Sequence, residues 1–196
     1  MNSNYQNLAH ELLSPGTTIT HHHQPEPFSI KLADSAAQVY TDFSQTRPFS
    51  VSSATPIDQV NDKMIACGVR LLFVTEGDAV LHGLVTYSDL FGDKPVRYIQ
   101  AHGGIRSEIL AQDIMTPLAQ LEALHRPDVE KSRVGDIVET IKAAGRQHML
   151  VSDFSENGEQ TITGLFSSTH IENLLGIKIE LSARAQNFSE LGRALG

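Results

Sequence analysis

The stretch Gly83-Leu84-Val85-Thr86-Tyr87-Ser88-Asp89 reads as a buried strand that runs into a polar turn and then a helix. Leu84 and Val85 are strand-type apolar residues, and Thr86 or Ser88 offers an oxygen suited to cap a helix N-terminus. The hydroxyl of Thr86 and the carboxylate of Asp89 stand three residues apart, so a helix starting between them turns both toward one small molecule at the strand's C-terminal end. A carboxylate there can accept a pair of hydrogen bonds from a ribose diol. The plain alternative is that a hydroxyl caps the helix and Asp89 sits in its first turn, facing the positive end of the helix dipole.

A second copy weighs on that choice. Gly164-Leu165-Phe166-Ser167-Ser168-Thr169-His170 follows the same template of Gly, two apolar residues, a hydroxyl, two spacers and a polar residue. Upstream, Ile57, Val60 and Met64 ending in Cys67-Gly68 match Val134, Ile137 and Ile141 ending in Ala144-Gly145, each an apolar helix face closed by a glycine. Leu71 to Val74 and His148 to Val151 are matching strands, and Val39-Tyr40-Thr41 parallels Ile114-Met115-Thr116. Gly68 to Gly83 spans 15 positions and Gly145 to Gly164 spans 19, so the second hairpin is the longer. Several paired features in one order mark an internal duplication.

This duplicated order of short strand, helix, two strands and helix resembles a tandem pair of cystathionine-β-synthase (CBS) domains, the Bateman module. Asp113-Ile114-Met115-Thr116-Pro117 looks like the family's opening of a repeat, and Gly83 to Asp89 like its ribose-binding turn; the resemblance covers roughly residues 38 to 176. It implies an α/β fold of two β-α-β-β-α repeats packed through their sheets, at 38–104 and 105–176, with extensions at 1–37 and 177–196. It also implies a non-catalytic sensor holding an adenosine nucleotide as regulatory ligand between the repeats. Thr86 and Asp89 would bind the ribose with Thr116 of the other repeat, and Val69-Arg70 and His148 would border the adenine. Arg70 is read equally as a phosphate contact or a solvated strand end, and Thr116 also as the cap of a turn before Pro117.

The pseudo-symmetric second cleft would use Thr41, Ser167 and His170. His170 departs from the family's Asp, and a neutral imidazole has one acceptor nitrogen where a carboxylate takes both diol hydroxyls. That cleft is therefore expected to be degenerate: weaker, changed in ligand, or empty. The family's helix-face pairing implies a homodimer. The rival function is a dimerising interaction adaptor whose ligand sites have decayed.

Composition narrows the rest. The 196 residues carry 40% hydrophobic and 19% charged residues and no apolar run long enough to span a membrane. The N-terminus lacks the features of a secretory signal and the one cysteine, Cys67, has no partner, so the expected compartment is the cytoplasm and the expected thiol a buried one. A net charge of -8, with basic residues scattered singly, argues against nucleic acid; Arg126, Lys131 and Arg133 form at most a one-phosphate spot. No G-x-S-x-G elbow, H-E-x-x-H or P-loop is present, so no catalytic residue and no obligatory cofactor is assigned. His21-His22-His23 lacks chelating spacing and is read as solvated loop, with a metal-dependent enzyme the last-placed reading. Of the local elements, Thr55-Pro56 is expected to open a helix with Thr as cap, Leu121 to Leu124 to form a strand, and Ile177-Ile179-Leu181 to alternate as another. Phe28 to Leu32 is a short strand or a strap over the module.

Overall fold

Short apolar strands alternating with amphipathic helices build two four-stranded sheets. The computed structural model describes residues 12, 14–18, 30–77 and 80–181. The first half holds β1 (Thr41–Asp42), β2 (Ser50–Val51), α1 (Ile57–Cys67), β3 (Leu71–Glu76), β4 (Val80–Thr86), α2 (Tyr87–Phe91) and α3 (Lys94–His102). The second holds α4 (Ala111–Ile114), β5 (Thr116–Pro117), β6 (Ala123–His125), α5 (Arg126–Val129), α6 (Val134–Ala144), β7 (His148–Phe154), β8 (Gln160–Ser167) and α7 (Ser168–Leu175).

The strand orders are β2-β3-β4-β5 and β1-β8-β7-β6, so each repeat's opening strand closes the other repeat's sheet. Leu84 pairs with Thr116 and Gly83 with Pro117, while Leu165 pairs with Thr41 and Gly164 with Asp42. The two glycines are needed for close approach. A Cβ on Gly83 would strike the Thr116 carbonyl oxygen, and one on Gly164 the Thr41 carbonyl oxygen and the Tyr40 ring.

Three apolar clusters hold the arrangement. Ile57, Val60 and Met64 of α1 pack with Leu72, Val74 and Val85 and with Ile109, Ala111 and Ile114 from the following segment. Val134, Ile137, Val138 and Ile141 of α6 pack with Met149, Val151 and Phe166 and with Ile30, Ala36, Val39 and Ile179. Leu71, Phe73, Leu84 and Leu150 join the inner faces of the two sheets. Each fully buried aliphatic or aromatic side chain contributes about 1.5–3 kcal/mol, so the exchanged segments bind each half to the other.

Several local expectations change. Pro56, not Thr55, stands at the cap of α1; no side chain caps it, and the Ile57 N–H instead donates to the Ile109 carbonyl at 3.0 Å. Leu118–Gln120 forms a short 3-10 turn, which delays the following strand to Ala123–His125. Ile177 to Leu181 forms no strand: Ile179 is buried against the second repeat, and its N–H donates to Glu172 Oε1 at 2.8 Å. The alternation there records burial without a sheet. Of the Phe28 to Leu32 segment the described part is a strap, with Leu32 O accepting from the Gly135 N–H. Cys67 is only half-buried, and His21 to His23 lie outside the described residues. Among the described residues no helix is long and apolar enough to cross a membrane.

Candidate functional site

The two duplicated turns share one backbone plan. The Tyr87 N–H donates to Arg70 O at 2.9 Å, and the Ser168 N–H to Gln147 O at 2.9 Å. Each pins a helix start to the loop before the neighbouring strand. Thr86 caps α2 and Ser167 caps α7, each through its hydroxyl oxygen.

The side chains of the first turn are spent on one another. Asp89 Oδ2 accepts from the Thr86 N–H at 2.7 Å and the Thr86 hydroxyl at 2.8 Å, while Thr86 Oγ1 accepts from the Asp89 N–H at 3.3 Å. Asp89 Oδ1 takes an ion pair from Lys94 Nζ at 2.6 Å. The same ammonium donates to Ile114 O at 2.8 Å and Thr116 Oγ1 at 3.4 Å. Thr86, Asp89 and Thr116 are thus brought together with a fourth residue among them. The Asp89 side chain is 12% exposed and Lys94 38%.

The second turn is loosely bonded and open. Ser167 Oγ accepts the His170 N–H at a long 3.5 Å, and the His170 side chain is exposed. In front of it lies a cavity of about 430 Å³ where β1 and the segment after it meet the loops before β3 and β7. Thr41, Ser167 and His170 line this cavity, and so do Val69, Arg70 and His148, which the sequence groups with the first turn. The regrouping follows from strand exchange: β1 joins β8, and Phe49 O accepts the Phe73 N–H at 3.0 Å, which draws Arg47 and Phe49 against the Gly68 to Leu71 loop.

The cavity has a distinct chemistry. Phe43, Phe49, Leu71, Phe73 and Leu165 supply apolar walls, with Phe43 edge-on to Phe73 at 5.7 Å. Among the described residues its ionisable lining is Arg47, Arg70, His148 and His170, without a carboxylate. Burial, and secondarily the Arg70 charge, push the His148 pKa down to about 4, so this imidazole is neutral at pH 7 with one donor and one acceptor nitrogen. The Arg70 guanidinium also lies 5.9 Å from the centre of the Tyr87 ring.

Sequence reasoning missed Arg47, Phe49 and Lys94. The first two follow β1 in irregular chain with no periodic signal. Lys94 had one available sign, an opposite charge five residues beyond Asp89 next to a helix-opening proline. A second cavity of about 410 Å³, lined by Ser50, Ser52, Thr55, Gln59, Lys63 and Glu76 among others, contains none of the candidate ligand-binding residues read from the sequence. Among the described residues no group of three His, Cys, Asp or Glu side chains is arranged to hold a metal ion.

No family model matches the sequence, and neither does any curated protein. Solved structures do match in fold. An uncharacterised conserved protein from Pyrococcus horikoshii is 18% identical, with 78% of this chain and 100% of that one covered at a TM-score of 0.53. A CBS-domain-containing protein from Agrobacterium tumefaciens is 17% identical over 69% of this chain and 93% of that one, at a TM-score of 0.50.

Proposed function

We propose that this chain, which has the fold of a tandem CBS pair, is a regulatory module that takes an adenosine nucleotide in the open cavity between its repeats and performs no catalysis of its own. The observation that carries this reading is a lining with two arginines and, among the described residues, no carboxylate, in a chain of net charge -8. Such a lining concentrates positive potential where the rest of the surface repels anions. The apolar walls suit a flat base, the hydroxyls of Thr41 and Ser167 suit a ribose, and Arg47 and Arg70 suit a phosphate. The first turn, by contrast, has its carboxylate engaged by its own chain.

On this reading the protein needs no obligatory cofactor, metal, membrane or nucleic acid, and it works in the cytoplasm as a homodimer. Exposed Ile65, Tyr87, Phe91 and Val96 on α1, α2 and α3 support pairing with a second copy. The same residues favour the second reading, a dimerising adaptor with empty clefts. Calorimetric titration of the whole chain with AMP, ADP and ATP separates the two. The sensor reading expects binding at one site per chain, weakened by added salt, and a melting shift. A dimer that gives neither heat nor melting shift with any of them at millimolar concentration leaves the adaptor.

A further inference from the structure

Lys94 has its ammonium inside the turn that the sequence resemblance reads as ribose-binding. It follows Asp93 at the start of α3, and the buried Pro95 fixes that helix's first turn. Its three donors have three acceptors within reach: Asp89 Oδ1 at 2.6 Å, Ile114 O at 2.8 Å and Thr116 Oγ1 at 3.4 Å. On the other side of the carboxylate, Thr86 supplies two more donors. A diol reaching Asp89 would have to break a charge-assisted bond and displace a cation from between α2 and β5, with nothing equivalent to replace it.

We infer that Lys94 is a built-in occupant of the first turn, a specificity-determining residue that closes this turn to ligands and leaves the turn of the second repeat as the open one. The second repeat lacks the device. Gly83 stands 11 residues before Lys94, and the residue 11 positions after Gly164 is the aliphatic Leu175, which packs on that repeat's core. Lys94 also ties repeats together, since Asp89 belongs to the first and the Ile114 and Thr116 acceptors to the segment opening the second. A ligand that entered the first turn would have to loosen this tie.

The inference shares with the sensor reading only its probe, AMP. Removing the ammonium while keeping the stem, in Lys94→Met, should expose Asp89 and add one AMP site per chain by calorimetry. The added site should vanish in Lys94→Met/Asp89→Asn. If folded Lys94→Met binds no more AMP than the parent, Lys94 is an ordinary ion pair and the inference fails, whereas a parent that binds nothing overturns only the sensor reading. The parent protein supplies a test that needs no variant to fold. Acylation of lysines followed by mass spectrometry should modify Lys94 roughly tenfold more slowly than exposed Lys31 and Lys131, because its bonds to Asp89 must break first. That protection should persist in saturating AMP. Modification of Lys94 at the rate of the exposed lysines, or release of its protection by AMP, refutes a permanently occupied first turn.

Discussion

The turn after β4 and the turn after β8 are copies that have parted. Both carry a glycine against the opposite repeat's opening strand, a hydroxyl cap, and a backbone bond from the helix start to the neighbouring loop. In the first, the Asp89 carboxylate is engaged on one oxygen by Thr86 and on the other by Lys94. In the second, a histidine replaces the carboxylate, the cap bond is long, and a cavity of about 430 Å³ stands open. The difference teaches that carrying the expected residue counts for less than whether that residue is still unspent. Asp89 has the expected chemistry and is engaged; His170 lacks it and is available.

The largest effect tests the shared half of the comparison. Gly83→Ala and Gly164→Ala each force a methyl group into a backbone carbonyl across a strand pair. Backbone cannot give way as a flexible side chain can, so each should cost about 3 kcal/mol, read as comparable shifts in denaturant midpoint. If one is tolerated and the other unfolds the protein, the two turns are not the same scaffold. Next comes the chemistry of the open cavity. Arg47→Gln/Arg70→Met removes both guanidinium groups from the lining and should weaken AMP binding roughly a hundredfold. An unchanged affinity in that variant, with binding lost in Asp89→Asn, would reverse the roles of the two turns.

A smaller effect reads His148. Its pKa is about 4 in the folded chain against about 6.5 when unfolded. Between those values the unfolded chain binds a proton that the folded chain refuses, so this residue's contribution is intact above pH 6.5 and is lost as pH falls toward 4. The ceiling is about 3 kcal/mol, and partial exposure brings the expected loss to about 1–2 kcal/mol. Melting temperatures of the parent should therefore fall faster over that window than those of His148→Gln. Parallel curves would mean that His148 titrates freely and that the cavity floor is wetter than its burial implies.

The fold was legible because duplication multiplies weak signals: neither heptapeptide means much alone, but their shared register fixes two repeats and pairs Thr41 with one turn and Thr116 with the other. The engagement of Asp89 was not legible. Lys94 belongs to a different helix, and its reach depends on the break at Gly92 and Asp93 between α2 and α3. The cavity was hidden for a related reason. Arg47 and Phe49 reach it through irregular chain, where no period predicts which side chains face inward. The 177–181 segment misled because burial of Ile179 beside α7 produces the same apolar alternation as a strand.

The last variant sharpens the comparison most, because it restores the missing residue in the turn that has kept its space. His170→Asp places a carboxylate three residues after Ser167, the geometry that Thr86 and Asp89 use. One of its oxygens will be drawn into the cap by the Ser167 N–H and hydroxyl, as Asp89 Oδ2 is by Thr86. The other oxygen has no lysine to claim it, since Leu175 stands at the corresponding sequence distance. It can accept from one ribose hydroxyl, and a hydrogen bond to a charged group is worth about 1.5–3 kcal/mol. Against this, the new charge repels a phosphate sharing the cavity, although Arg47 and Arg70 screen it. The net expectation is AMP affinity improved by roughly tenfold, and adenosine, which carries no phosphate, improved by more. If both ligands bind His170→Asp as they bind the parent, the base and phosphate hold the ligand and the ribose never touches this turn. If both bind worse, the imidazole itself is a contact, and the second turn has become a site of its own kind instead of a weakened copy of the first.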